Sequence, residues 1–489
     1  MGVLRDRLGV TSVKDGCSPQ GQCGCCTVLV DGAPRVACVT PARRIKDRSV
    51  TTVGGLDADE RQRWGEAFVA TGASQCGFCT PGIICRLVGH ERRGADLTDR
   101  DVVCGALAAH LCRCTGWQTI VEAAGVAVGD PRSIGSRDVG RMNQRAALET
   151  EGPQRIGVDV ALGAAVFSDD TAPGDALVAI PGPMGWAVGE TLAAARARAG
   201  KVQGRRTTLS SRPPIDLPEG DWDVTLQTSW TEPAYLETDA AWCTPGGDPS
   251  DPLGNGGAFG GKLRSPVRDA ARQLADEHGR PVRVRWSRED VVRQGPKRPP
   301  MAVGMSVDGQ GVVRVARTPG IAALISARLP GCRIEEVDLP GPPTSSELRG
   351  AGWAEAEMLR AALAGGADWI VSPSGGRARA RVDAEGIVLE VDGGDPLDEV
   401  VVRTYAIGAA HMAWSWVNGE ALTVDEAGQV HDLTIRSFGI TGAAAMVPVE
   451  VTITGDRASS PTPIGDAAFA AVAAAAWLFL GQPSTLPTS

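Results

Sequence analysis

The chain has 489 residues, 43% of them apolar and 22% charged, which is enough for about three domains that each bury a core. Its formal net charge of −9, with no long basic run, argues against nucleic acid as a partner. The opening Met1-Gly2-Val3-Leu4-Arg5-Asp6 lacks a charged segment followed by an apolar core, and the most apolar run, Ala467 to Leu480, is too short to cross a bilayer. The expectation is therefore a thiol-rich cytoplasmic protein without membrane attachment.

Residues 1–55 hold the first of two cysteine groups, Gly16-Cys17-Ser18-Pro19-Gln20-Gly21-Gln22-Cys23-Gly24-Cys25-Cys26, completed by Cys38. Thiolates are soft ligands, and four of them suit either a tetrahedral zinc or the two irons of a [2Fe-2S] cluster. Cys17-x5-Cys23-x2-Cys26 with the distant Cys38 matches the plant-type pattern C-x4-C-x2-C with one extra residue in the first gap. The neighbouring glycines let backbone N–H groups turn toward cluster sulfurs. Zinc stands as the second reading, although neither group has the paired C-x2-C knuckles of a zinc ribbon. Disulfides suit adjacent Cys25-Cys26 poorly. Apolar residues on both sides of Asp31-Gly32 predict a hairpin, because a type I′ turn needs positive φ at both central positions, and Cys38 then sits on the returning strand.

Residues 56–124 turn helical. Asp57 to Ala70 carries Trp64, Phe68 and Val69 at helical spacing. Thr80-Pro81 offers a cap oxygen and then a ring at the first helical position. Thr98 with Asp101 reads as a capping box, and a fourth helix follows Trp117. The second cysteine group lies in this segment, as Gln75-Cys76-Gly77-Phe78-Cys79-Thr80-Pro81-Gly82 and Cys112-Arg113-Cys114-Thr115-Gly116. Four short helices with cysteines at their ends predict a bundle that holds a second cluster through Cys76, Cys79, Cys112 and Cys114. Residues 125–152 are rich in Gly, Arg and Ser, lose apolar periodicity and read as a linker. Residues 153–489 read as α/β, with Gly- and Pro-rich connections and no internal repeat.

Two tandem clusters, with Q-C-G-F-C-T-P-G and C-R-C-T-G in the second, resemble the molybdenum hydroxylases, the xanthine dehydrogenase and aldehyde oxidase family. The resemblance implies an α+β multidomain chain: a β-grasp [2Fe-2S] ferredoxin domain lacking the family's first hairpin, a four-helix [2Fe-2S] bundle, and an α/β molybdopterin-binding-like region. It places Gln75 and Cys114 against the pterin. Glu232-Pro233-Ala234-Tyr235-Leu236-Glu237-Thr238 is similar to the family's H-F-Y-L-E-T segment. Gly256-Gly257-Ala258-Phe259-Gly260-Gly261-Lys262 resembles its G-G-G-F-G-G-K loop. Ser345 to Gly352 resembles its F-R-G-F-G segment and makes Arg349 an anion contact. Ile464-Gly465-Asp466 stands where G-E supplies the catalytic glutamate, so Asp466 is the implied general base.

The implied cofactors are two [2Fe-2S] clusters and a molybdopterin carrying molybdenum, with a cytosine dinucleotide form among the candidates. No FAD is expected in this chain, because no flavin domain fits between the clusters and the third region. The implied partners are a small aldehyde or N-heterocycle as substrate and a separate flavoprotein or cytochrome as electron acceptor, in an oligomer. Electrons would pass singly through the two clusters after water-derived oxygen is inserted into the substrate. The sequence departs from the family at Thr231, where a Gln is frequent, in lacking the G-Q-G loop, and in the shortness of the third region.

Other readings compete at single positions. Gly256-x4-Gly261-Lys262 satisfies most of a nucleotide-binding P-loop, yet Leu263 lacks the hydroxyl that would hold Mg²⁺; a plain turn before the helix Val267 to His278 is a further option. Asp466 also reads as the N-cap of the alanine-rich helix after it. For the whole chain the alternative is an electron-transfer and docking subunit with a degenerate molybdenum region. Cys25, Cys85, Cys104, Cys243 and Cys332 are expected to be packing residues.

Overall fold

Asp31 and Gly32 adopt φ of 48° and 74°, so the turn folds β1 (Thr27–Val30) back onto β2 (Ala33–Val36) in the expected antiparallel register, Thr27 opposite Val36. A computed structural model of the chain describes residues 1–129, 137–150, 152–200, 207–366 and 368–488. Strand β3 (Val50–Thr51) joins the other edge of β1 and completes a three-stranded sheet. Cys38 is not on the returning strand as expected but just past it, because the chain leaves β2 at Val36 and tightens into a short helical turn over Ala37–Val39.

Four helices follow: α1 (Ala58–Ala70), α2 (Thr80–Glu91), α3 (Arg100–Leu107) and α4 (Gln118–Val128). Helix α1 begins with a reciprocal cap between Asp57 and Glu60, which satisfies two orphan amides. Two caps differ from expectation by one residue. Cys79 rather than Thr80 occupies the N-cap of α2, and the Thr80 hydroxyl donates to Ser74 instead. Asp99 rather than Thr98 caps α3, because Thr98 is drawn into a bond with Asp96.

The expected linker over 125–152 is corrected where it is described: residues 139–150 form helix α5 (Val139–Thr150), and its buried face is Met142, Arg145, Ala146 and Glu149. Two of those four positions are charged, so the helical repeat is present without the apolar signal that advertises it. Residues 130–136 and 151 of that expected linker lie outside the described residues.

Beyond α5 come α6 (Ser168–Thr171) and three mixed sheets. The first has order β5-β4-β8-β7 and uses β4 (Leu177–Gly182), β5 (Gly185–Gly189), β7 (Ala240–Cys243) and β8 (Val282–Arg285). It is covered by α7 (Leu192–Ala199) and α8 (Val267–His278); α8 has the bounds expected from the sequence. The second, β11-β10-β9-β6-β16, uses β6 (Val224–Thr228), β9 (Met301–Met305), β10 (Gly311–Ala316), β11 (Cys332–Val337) and β16 (Thr485–Leu486). The third, β12-β13-β14-β15, uses β12 (Ile370–Val371), β13 (Arg377–Val382), β14 (Ile387–Asp392) and β15 (Val449–Ile453).

The largest core gathers around α13 (Gly465–Phe479), whose residues Ala467 to Trp477 are all buried. Its alanines let α11 (Trp353–Leu363), α12 (Glu399–Gly419) and β13 approach closely. Two remaining helices, α9 (Arg288–Gln294) and α10 (Ile321–Ser326), fill corners.

Charged side chains clasp the amino-terminal portion to the rest. Arg5 reaches Asp170 at 2.7 Å, Lys14 reaches the same carboxylate at 2.5 Å, and Arg285 pairs with Asp15 at 3.1 Å, all nearly or fully buried. Among the described residues no helix is long and apolar enough to cross a membrane.

Candidate functional site

All thirteen cysteines are free thiols. The first cage is built by the turn-rich loop before β1, where Ser18, Gly21 and Gly24 take positive φ and let the backbone fold around the sulfurs. Gln20 N–H points at Cys17 Sγ at 3.2 Å, and Cys38 N–H at Cys26 Sγ at 3.4 Å. Hydrogen bonds from Cys23 and Cys38 hold the Cys17 thiol far below its ordinary range, and the same bonds push Cys23 and Cys38 up. Cys17, Cys23 and Cys26 are buried while Cys38 is half-buried, so this cage lies toward the surface. At Gly24 (φ 74°) the His110 ring packs where a Cβ would stand, 2.5 Å away. His110 is pushed down to about 3 by burial, so it is neutral.

The second cage closes as two pairs. Cys76 and Cys114 bring their sulfurs to 3.6 Å. Cys79 hydrogen-bonds Cys112 and draws that thiol down to about 7, with the Thr115 hydroxyl at 3.1 Å helping; Cys79 and Cys114 are correspondingly pushed up. Among the described residues no group of three or more His, Cys, Asp or Glu is gathered tightly enough for a single metal ion. Pairwise closure is nevertheless the arrangement two irons need, since each takes two thiolates, whereas zinc would draw all four together. The donor set therefore fits a dinuclear cluster. Leu111 N–H donates to Cys23 O at 2.9 Å, which joins the two cages by one hydrogen bond next to Cys112.

The glycine loop lies directly against the second cage. A Cβ on Gly257 (φ 78°) would stand 3.2 Å from Cys76 Sγ and 3.3 Å from Cys114 Sγ, and one on Gly260 only 2.0 Å from the Glu347 carbonyl. Gly256 faces Gln154, and Gly261 faces the Tyr235 ring. The other side of the loop opens into a cavity lined by Gly256, Gly257, Phe259, Gly260, Arg349, Gly465, Asp466 and Glu149 among others. Three expected groups, the glycine loop, Arg349 and Asp466, thus share one cavity. Gln75 and Cys114 do not line it. Gln75 is buried and spends its amide N–H groups on Cys114 O at 3.0 Å and on Thr404.

Lys262 settles the P-loop alternative. Its ammonium is buried on Glu237 at 2.6 Å and on Pro252 O at 3.0 Å, so it cannot reach a phosphate. Asp466 is in the first turn of α13 and is not its N-cap, which is Ile464. Its carboxylate is 43% exposed and meets Arg349 Nε at 3.3 Å. Arg349 stacks over Phe259 at 4.8 Å and donates to Met412 Sδ at 3.5 Å. Beyond Phe259 and Arg349 lies a second cavity, walled by Met412, Trp416 and Phe469 and by the charged Arg113, Glu232, Arg298 and Glu420.

Several residues of the site carried no sequence signal. Arg145 and Glu149 form a fully buried i,i+4 pair that reads in sequence like any surface pair. The Tyr405 hydroxyl is buried without a partner among the described residues and is pushed up by burial first and then by Cys114 and Glu149, which places it between the second cage and the cavity. Gln154, against Gly256, has a buried amide with no partner among the described residues. A cradle of glycines and an arginine around one cavity, with the orphaned Gln154 amide behind Gly256, fit a polar cofactor with anionic groups.

Comparison with known proteins agrees with this geometry. The [2Fe-2S] binding domain family matches residues 52–125. The chain is 40% identical over 123 residues to the xanthine dehydrogenase iron-sulfur-binding subunit of Escherichia coli, covering 24% of this chain and 76% of that protein. It is 38% identical over 127 residues to the nicotinate dehydrogenase small FeS subunit of Eubacterium barkeri, covering 26% and 80%. The whole fold is similar to that of the aldehyde oxidoreductase from Desulfovibrio gigas, with a TM-score of 0.68 over 97% of this chain and 94% of that one at 14% identity. At that identity the likeness concerns the fold alone.

Proposed function

Because the chain belongs to the family of molybdenum hydroxylases that includes the xanthine dehydrogenases and aldehyde oxidoreductases, we propose that it is an iron–sulfur, molybdopterin-dependent oxidoreductase that hydroxylates an aldehyde or N-heterocycle. The observation that supports this most is the two-sided glycine loop: one face touches Cys76 and Cys114, and the other lines the cavity that Arg349 and Asp466 share. A redox group held there would be separated from the second cage by one layer of backbone.

In this reading Cys17, Cys23, Cys26 and Cys38 hold one cluster, and Cys76, Cys79, Cys112 and Cys114 the other. Gly256, Gly257, Phe259, Gly260 and Gly261 supply the cradle, and Arg349 neutralises anionic charge in the cavity. Gln75 acts on the pterin side only through its hold on the Cys114 carbonyl. A bound molybdopterin would supply the two-electron redox chemistry, which the clusters divide into single electrons. Asp466 takes up a proton during oxygen insertion, from its place in the first turn of α13 beside Arg349. The cavity past Phe259, where Met412, Trp416 and Phe469 meet Arg298, Arg349 and the Arg113–Glu420 pair, receives the substrate. Electrons leave near the half-buried Cys38 toward a separate flavoprotein or cytochrome, with no FAD held in this chain.

One observation favours a second reading, an electron-transfer and docking subunit with a degenerate molybdenum region: Glu149 already accepts the Ile464 and Gly465 amides at the cavity wall. Metal analysis of protein produced with molybdate separates the two. Both require about four iron atoms per chain, as two [2Fe-2S] clusters hold, and only the first requires molybdenum. Iron-free protein would overturn both.

A further inference from the structure

The cavity shared by the second-cage cysteines, Cys76, Cys79, Cys112 and Cys114, is also lined by the charged side chains of Arg113, Glu237 and Lys262. Arg113 is matched nitrogen for oxygen by Glu420, at 2.5 and 2.7 Å, so it brings a neutralised charge. Lys262 is held differently. The glycine loop that touches Cys76 and Cys114 through Gly257 continues through Gly260, at φ 86°, and delivers the Lys262 ammonium to Glu237 Oε2 at 2.6 Å and to Pro252 O at 3.0 Å. The two side chains are 1% and 7% exposed, and Glu237 Oε1 is buried without a partner among the described residues. The ammonium is thus shared with a carbonyl while the carboxylate engages it through one oxygen. The next charged pair, Lys14 and Asp170, does not line this cavity; Phe167, whose ring centroid is 5.1 Å from Lys14 Nζ, does.

We infer that the Lys262–Glu237 pair sets how tightly the second cluster holds its electron, with the ammonium strengthening that hold and the carboxylate limiting it. The inference rests on the reading of Cys76, Cys79, Cys112 and Cys114 as the ligands of one [2Fe-2S] cluster. Reduction adds one electron, and so one negative charge, to a cage already built from thiolates. A buried cation in the wall of that cage lowers the energy of the added charge, because charges in the interior are weakly screened. The carboxylate paired with the same cation opposes it. Both residues are positioning residues for electron transfer, since they act through the cluster and touch no substrate.

Redox titration followed by EPR tests it, on the full chain with its iron; the signal that Cys112→Ser removes identifies the second cluster. Glu237→Gln keeps an acceptor for Lys262 but removes the negative charge. It is expected to make the second cluster about tenfold easier to reduce, an upward shift of about 59 mV for one electron. Adding Lys262→Met then removes the positive charge and should reverse the shift by about the same amount. The lysine is tested in that background because its loss alone strands a buried carboxylate, which takes up a proton and masks the change in charge. Lys262→Arg in the same background retains the cation and should keep the raised value. Should Lys262→Met fail to fold, Lys262→Gln offers Pro252 O a donor and is expected to give the same reversal. The first cluster should titrate unchanged throughout. A second-cluster midpoint that is unmoved by Glu237→Gln, that does not fall when the cation is removed, or that moves together with the first cluster overturns the inference. Iron-free protein without either EPR signal overturns the cluster reading itself, and the inference with it.

Discussion

Arg113 lies between two cage cysteines and forms a two-pronged pair with Glu420, at 2.5 and 2.7 Å, with both side chains almost completely buried. Its Nε also donates to Pro233 O at 3.1 Å. One guanidinium thereby fixes the Cys112–Cys114 loop to two segments of the region after residue 153. Removing one partner strands the other charge in the interior, so Arg113→Met or Glu420→Gln is expected to cost about 3–5 kcal/mol of stability. Urea unfolding of each variant measures it. Replacing both together should cost less than the sum, and additive losses would show that the pair is not coupled.

Cys112 and Thr115 give a spectroscopic prediction. With the cages joined through Leu111 and Cys23 yet built from separate thiol sets, Cys112→Ser is expected to remove one of two reduced-cluster EPR signals and leave the other. Loss of both signals, or of neither, would contradict independent clusters.

These relationships were legible in the sequence to different depths. The hairpin at Asp31-Gly32 followed from backbone sterics that operate over four residues, and the bounds of α8 from an apolar stripe with clear ends. The glycine loop's place beside Arg349 and Asp466 followed from motif order, although nothing local to the loop could show that Gly257 abuts Cys76. Helix α5 escaped because its inward face carries Arg145 and Glu149. A charge is read as exposed until its partners are known, and the partners here, Ile464 and Gly465, are more than three hundred residues away in the chain. The caps at Cys79 and Asp99 were missed by one residue because Thr80 and Thr98 found other local acceptors.

Glu237 sets a pH dependence. Burial pushes its carboxyl from 4.5 up to about 7, against the pull of Lys262, with Asp170 and Asp239 adding repulsion. A folded state that holds the proton more tightly than the unfolded chain is favoured most below about pH 4.5. That contribution is lost as the pH rises through about 7. Glu237→Gln cannot titrate and keeps an acceptor for Lys262. The stability of the variant relative to the parent should therefore rise by about 3 kcal/mol between the two limits. Unfolding curves at about pH 5 and about pH 7.5 measure the change, and a difference that stays constant with pH would mean that Glu237 remains ionised beside Lys262.

Asp466 carries the sharpest catalytic prediction. Its carboxylate projects from the first turn of α13 into the cavity, 43% exposed and held by Arg349 Nε at 3.3 Å. That position gives it solvent access for proton exchange, which the fully buried Glu149 lacks. Asp466→Asn keeps the size but cannot take up a proton, and general-base loss of this kind typically lowers kcat by about 10²–10⁴-fold. Iron and molybdenum contents should be unchanged, and so should both EPR signals. If Asp466→Asn turned over normally, the residue would be only an electrostatic partner for Arg349. If metal content fell together with activity, its role would be to hold the cofactor rather than to move a proton.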